Sequence, residues 1–334
     1  MTLERRYVSS TDVARHAGVS QAAVSRTFTP GASVSPAMRE KVLAAARELG
    51  YRPNLLPQAL QTNRTGLIAV AVGNLHNSFH AEVLQKLTES IQATGRQVLL
   101  TKVTSSYAIE SMLDQIAGYR VDALISNLAV LSTPMAKRLS ELRIPVVCFN
   151  SRIKTEWVSS VSSDNRSAGV AAAELLARSG EVFAFVDGMA ESPSAHARRG
   201  GFQQGLERLG RNPPMIVSSD YSYESGQAAA EVLFDGKTRP DSVFCVNDHV
   251  AFGLIDVLRR KGLRCPEDVR VIGYDGVTLA GWDAYSLTTF DPNLDAMVEL
   301  TLKLTLGETE EGRKGVLRTI PPLLIERRST GAPA

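Results

Sequence analysis

The sequence predicts a small all-α helix-turn-helix head joined to a bilobed α/β body of two doubly wound parallel sheets. Three observations carry that expectation. Residues 10–60 hold three short helical patterns and a linker. From Gly66 onward, short apolar strands alternate with amphipathic helices, the pattern of parallel sheets covered by helices. The 334 residues are too many for one small core and suit two or three domains.

In the head, STDVARHAGVSQAAVSRTF splits into two helical patterns at Gly18-Val19-Ser20. That is the helix-turn-helix arrangement, whose second helix enters the major groove of DNA. Ser9 is placed to cap the first helix, with Asp12 three residues on completing a capping box. Gly18 suits the left-handed residue that ends it. Ser20 caps the second helix, Gln21–Phe28, and Val13, Ala17, Val19 and Val24 form the apolar seam between the two. A third helix starts at Ser35 and Pro36, presents Met38, Val42, Ala45, Ala46 and Leu49 on one face, and stops at Gly50.

In the body, strands are expected at Leu67–Val72, Val98–Thr101, Ala123–Ser126, Val146–Phe149, Phe183–Val186, Ile216–Ser218, Val243–Val246 and Val269–Gly273. Helices are expected at Ala81–Thr94, Ala108–Ala117, Arg166–Arg178, Ala197–Leu209, Ser225–Phe234 and Val250–Lys261. Eight strands exceed what one lobe needs, which points to two. Open α/β sheets bind ligands beyond the carboxyl ends of their strands, so two facing lobes make a cleft for a small molecule.

The net charge of +2 hides an asymmetry. Residues 1–64 carry nine Lys and Arg against four Asp and Glu, and the remainder carries 28 against 31. A basic head on a slightly acidic body is the electrostatic footprint of a modest DNA binder. No run of 18 apolar residues offers a membrane span, and the start MTLERRYVSSTD lacks the apolar core of a signal peptide. The expected compartment is the cytoplasm. Cys148, Cys245 and Cys265 are odd in number and far apart, which argues for free thiols and against a disulfide framework or zinc site. No metal or cofactor is expected.

The ordered motifs resemble the lac-repressor (LacI) family of bacterial transcription regulators. They are TDVARHAGVSQAAVSR and VSPAMREKVLAAARELGYRPN in the head, then NSFHAEV (77–83), SSDN (162–165), RRGGF (198–202), VNDHVAFG (246–253), VIGYDG (271–276), LTTFDP (287–292) and LIERRS (324–329). The resemblance implies a head over 1–62 with a hinge at about 52–64, and a periplasmic-binding-protein-like domain over 66–330. The chain would cross between lobes three times. The amino-terminal lobe would combine 66–162 with 293–321, and the carboxy-terminal lobe 163–291 with 322–330.

By the same resemblance, Gln21, Ala22 and Arg26 match the recognition contacts. Gln fits the donor and acceptor of adenine, Arg fits guanine, and Ala reaches a thymine methyl. Ser9, Ser25, Thr29 and Ser35 would hold phosphates and set register. In the linker, Asn54 would cap a hinge helix, and Leu60 would wedge into the minor groove of a double-stranded operator. Pro57-Gln58 stands where the family commonly has Ala-Arg. Proline is tolerated in a first helical turn, and the missing arginine removes one contact. Weak heads require a symmetric dimer and a near-palindromic site. The ending STGAPA carries no leucine heptads for a tetramer, so a homodimer is expected.

The effector residues carried over are Phe79, His80, Asn127, Asn150, Arg198, Tyr221, Asn247 and Asp275. Aromatic faces stack on sugar rings, while Asn, Asp and Arg meet hydroxyl groups. His80 stands where a second aromatic is usual. Asp248 is read either as a further ligand contact or as a helix cap after a strand, with Asn247 just before it as the ligand contact. Ser192 occupies a place where purine-binding members carry arginine, which favours a sugar, sugar acid or phosphorylated sugar. A global regulator with a protein or nucleoside co-effector is the alternative, and the effector's sign stays open between inducer and co-repressor. An enzyme acting through Asp248 or Asp275 lacks any nucleophile elbow, phosphate loop or metal spacing to support it.

Overall fold

The computed structural model describes residues 7–29, 31–53, 64–73, 75, 77–103, 113, 116–127, 137–138, 140–141, 143–307 and 315–331. The chain divides into two compact units, Met1–Thr65 and Gly66–Ala334. Asn54, Pro57 and Leu60 lie outside the described residues, as does most of the helix expected at Ala108–Ala117.

In the first unit, helices α1 (Ser10–Ala17), α2 (Gln21–Phe28) and α3 (Pro36–Glu48) each begin at a serine cap. Ser9 and Asp12 form a reciprocal capping box. The Asp12 N–H donates to Ser9 Oγ at 3.2 Å, and the Ser9 N–H donates to the Asp12 carboxylate at 3.0 Å. Gly18 ends α1 at φ 58°, the left-handed conformation that a residue with a Cβ resists. Val13, Ala17, Val24, Val42, Ala45 and Ala46 are buried together, with Val19 partly buried against them. Small side chains let these short helices approach closely, and the Phe28 and Tyr51 rings close the core 5.5 Å apart.

The second unit holds two six-stranded sheets. In chain order, one is built from β1 (Leu67–Val72), β2 (Gln97–Lys102), β3 (Ala123–Asn127), β4 (Val146–Phe149), β5 (Val158–Ser163) and β11 (Leu317–Ile320). The other is built from β6 (Phe183–Asp187), β7 (Met215–Ser218), β8 (Ser242–Cys245), β9 (Arg270–Tyr274), β10 (Thr288–Asp291) and β12 (Leu323–Ile325). Their orders are β11-β5-β4-β3-β1-β2 and β12-β10-β9-β8-β6-β7. Every pairing is parallel except β10 with β12. The two-residue link Pro321-Pro322 sends the chain from β11 straight into the other sheet, where β12 closes the edge antiparallel.

Among the described residues, the helices with full bounds are α4 (Ser78–Ala93), α5 (Asn165–Leu176), α6 (Pro193–Arg208), α7 (Tyr223–Asp235), α8 (Asp248–Arg260) and α9 (Leu294–Leu306). Helices α4 and α9 pack together on the first sheet, α5 with α6 and α7 with α8 on the second. Phe185, Phe202, Phe244 and Phe290 interlock in the second lobe, with neighbouring centroids 5.3–6.2 Å apart. Burying each such side chain contributes about 1.5–3 kcal/mol. Cys148 and Cys245 are buried free thiols, and Cys265 is half-buried. No described helix is long and apolar enough to cross a membrane.

Candidate functional site

On the head, α2 separates two faces. Ala23, Val24 and Thr27 are buried, while Gln21, Ala22, Ser25, Arg26 and Thr29 are exposed at positions that recur each turn. The Gln21 amide donates to Ser10 Oγ at 2.9 Å, which ties the start of α2 to α1. Thr29 Oγ1 donates to the Ser25 carbonyl, and Ser35 Oγ accepts from the Met38 N–H. Ser9 Oγ also donates to Asp12 at 2.7 Å, so its hydroxyl is committed to the helix cap. Arg39, which sequence reasoning passed over, holds the Thr27 carbonyl at 3.0 Å and fixes α3 against α2.

In the body, a cavity of about 410 Å³ opens between the lobes, a size suited to a small molecule. Phe79, His80, Asn127, Asn150, Arg198, Tyr221, Asn247 and Asp275 all line it. Asn127 ends β3, Asn150 follows β4, Asn247 follows β8 and Asp275 follows β9. The strand ends therefore deliver polar groups to one place, as the fold requires.

Arg198 is buried, and three contacts hold it. Its Nε donates to Asn165 Oδ1 at 2.7 Å, its Nη1 donates to the Val246 carbonyl, and its guanidinium carbon lies 3.4 Å from the Tyr274 ring centroid. Nearby, Asp275 has its carboxyl pushed up to about 7, chiefly by burial, against the pull of Arg198. On the opposite wall, buried Asn127 Nδ2 and His80 Nδ1 have no hydrogen-bond partner. Burial also lowers the His80 value, with Asn127 opposing. Unpaired buried polar atoms are expensive in a finished core. The Phe79 and His80 rings meet edge to face at 5.5 Å.

Backbone strain gathers here too. Of the seven non-glycine residues with positive φ among the described residues, Asn150 (57°), Tyr221 (71°) and Asp275 (116°) line this cavity. Strained residues persist where the surroundings over-determine them, commonly at sites. Gly188 makes room for Tyr221, since a Cβ there would sit 2.4 Å from the tyrosine ring.

The structure reassigns one pair. Asn247, not Asp248, caps α8, its Oδ1 accepting from Val250 N–H at 2.9 Å while its amide donates to the Tyr221 carbonyl at 3.2 Å. Asp248 is fully buried and lies off the cavity. Its carboxyl accepts from Thr289 Oγ1 at 2.6 Å and Val277 N–H at 3.0 Å, locking β10 and the segment after β9 to α8. Burial raises its pKa strongly. Ser192 lines the cavity and caps α6 by accepting from Ala195 N–H. Sequence reasoning missed Asp220, Glu224 and His249 on the rim; they lie in or beside helix starts and carry no local signal of a cleft.

The family model described as bacterial regulatory proteins, lacI family, matches residues 11–54, and a periplasmic binding protein-like domain matches 181–330. Catabolite control protein A of Priestia megaterium is 31% identical over 293 residues, covering 86% of each chain. The HTH-type transcriptional repressor PurR of Salmonella paratyphi B is 29% identical over 326 residues, covering 95% of each. Among solved structures, the lac repressor dimer bound to operator and the anti-inducer ONPF superposes with a TM-score of 0.85 at 25% identity, covering 98% of this chain and 100% of that one. With a helix-turn-helix head, a two-sheet body and a relative of this identity along most of its length, the chain belongs to the lacI family of bacterial DNA-binding transcription regulators.

Proposed function

We propose that the protein is a repressor that binds a near-palindromic operator as a homodimer and is controlled by a small polyhydroxylated effector in the interlobe cavity. Gln21, Ala22 and Arg26 read base edges, and Ser25, Thr29 and Ser35 hold the phosphates. Ser9 acts through its cap, which presents the N–H groups at the start of α1. Asn54 and Leu60 would serve the hinge. The observation that carries the effector reading is the convergence of both lobes on one cavity, with the Asn127 amide and the His80 imidazole on one wall and Arg198 and Asp275 on the other.

The effector class is a sugar, sugar acid or sugar phosphate. Phe79 and Tyr221 supply ring faces, and the amide, carboxyl and guanidinium groups supply directional partners for hydroxyls. Ser192 offers no cation, and its hydroxyl is engaged in capping α6, which weighs against a purine. Ligand that favours one lobe arrangement shifts the operator affinity by the difference in its own affinity for the two arrangements. A hundredfold release needs about 2.7 kcal/mol. The test is a thermal-shift panel of sugars, sugar acids and sugar phosphates, followed by footprinting with each hit. A compound that raises the melting temperature and moves operator affinity supports the assignment; a panel of hits without any effect on DNA binding overturns the control.

A further inference from the structure

His249 stands on the first turn of α8 at the rim of the cavity, and its ring reaches across to the other lobe. Its Nε2 lies 2.9 Å from Ser78 Oγ and accepts from the Ser78 N–H at 3.4 Å. One turn along α4, Glu82 Oε1 accepts the Thr278 N–H at 3.1 Å. Ser78 and Glu82 are four residues apart and share a face of the helix. Helix α4 is therefore fastened to the second lobe at two points. The residues directly after Ser78 are Phe79 and His80, which line the cavity.

A backbone N–H can point only at a lone pair, so this contact requires an unprotonated Nε2 with the ring proton on Nδ1. Protonation removes the lone pair and sets an N–H, with a positive charge, against the amino end of α4. There the Ser78 N–H and the helix dipole are both unfavourable to a cation. We propose that His249 is a positioning residue for the cavity: its neutral imidazole fastens the first turn of α4, and with it Phe79 and His80, and protonation releases that turn. This goes beyond the repressor reading, and the fastening is testable without any effector.

The surroundings favour the neutral ring. Burial holds His249 below the ordinary imidazole value, and Glu224 on α7 partly offsets this. From α4 the ring faces the Ser78 hydroxyl, and on its own helix Phe252 lies 6.0 Å away. Asp220, Asp275, Arg198, His80, Tyr221 and Tyr223 are the other charged or titratable groups lining the cavity. Because the fastened state binds the proton less tightly than a free imidazole, the contact is at full strength above the ordinary value of 6.5. It weakens as pH falls below that.

The experiment uses the full chain in two measurements. Long-range nitrogen–proton NMR of histidine-labelled protein, with the His249 signal identified by its loss in His249→Gln, should show the Nδ1–H tautomer at pH 7.5. Its titration midpoint should lie below that of a free histidine. Hydrogen exchange of the segment 77–83, corrected for intrinsic rates, should lose protection severalfold between pH 7.5 and 5.5. The loss should be abolished in His249→Gln, whose side-chain oxygen still accepts but does not titrate. An Nε2–H tautomer at pH 7.5, or equal pH sensitivity in His249→Gln, would overturn the proposal. The repressor reading would survive any of these, since none involves operator or effector.

Discussion

The guanidinium carbon of Arg198 lies over the ring of Tyr274, 3.4 Å from its centroid, while its nitrogens are held by Asn165 and the Val246 carbonyl. The three partners come from β9, the start of α5 and the residue that follows β8. Arg198 thus ties the floor of the cavity to the point where the chain leaves β5 for the second lobe.

That geometry distinguishes Arg from Lys. An ammonium cannot stack as a plane or donate along two fixed directions. Arg198→Lys should therefore leave Asn165 Oδ1 or the Val246 carbonyl unpaired, lowering stability by about 1–3 kcal/mol, and should abolish the response to effector. Denaturant unfolding and effector-dependent footprinting check both. A lysine variant with unchanged stability and response would show that the stack is incidental.

The helix that carries Arg198 is held in place by glycine. A Cβ at Gly201 would lie 2.1 Å from the Arg166 carbonyl oxygen, backbone that cannot step aside. At the adjacent Gly200 a Cβ would meet only the tip of the Arg166 side chain at 3.3 Å. Gly201→Ala should push α6 off α5 and destabilise by about 1–3 kcal/mol, while Gly200→Ala should be neutral or stabilise by about 0.5–1 kcal/mol through helix propensity. Thermal melts of the pair decide it, and equal effects would refute the close approach.

Asp275 gives a pH dependence of definite sign. Its carboxyl is raised from 3.8 to about 7 by burial, so the folded state holds the proton more tightly than the unfolded one. Its favourable contribution is complete below pH 3.8 and is lost as pH rises through about 7. Asp275→Asn removes the ionisation. Because the residue is half-buried, we expect a gain of only about 1–2 kcal/mol at pH 8 relative to pH 5, discounted for solvent. Effector response should be lost in the same variant. Calorimetry at the two pH values checks the sign, and a larger gain at pH 5 would contradict it.

What could be read from the chain follows the range of the interactions. The serine caps at Ser9, Ser20 and Ser35 were legible because each closes on an amide three residues away. The cavity residues at strand ends were legible through motifs in their order. Strand β5 was not, because VSSVSS lacks an apolar run; two of its hydroxyls are absorbed instead, Ser160 by the Ile153 carbonyl and Ser159 by the Val316 N–H. Helix α9 packs on the first sheet although it follows β10 of the second. The cap of α8 fell on Asn247 because the carboxylate of Asp248 is drawn away by Thr289 and Val277, 41 and 29 residues distant. No local pattern could pair Ser78 with His249, which are 171 residues apart.

The head allows recognition to be separated from folding. Arg26 is exposed on the outer face of α2, whereas Arg39 holds the Thr27 carbonyl and Ser9 closes a capping box. Arg26→Ala should leave the melting of the head unchanged and remove about 1–3 kcal/mol of discrimination at one base pair in each half-site, with a shallower salt dependence if a phosphate is also lost. Ser9→Ala should instead lower stability by about 1 kcal/mol and weaken all sequences alike, because the helix start frays before it meets DNA. Binding of a randomised duplex pool, sequenced after selection with each variant, reads the difference directly. A preserved motif in Arg26→Ala would take that side chain out of base recognition, and a changed motif in Ser9→Ala would mean the cap also touches the sequence-reading surface.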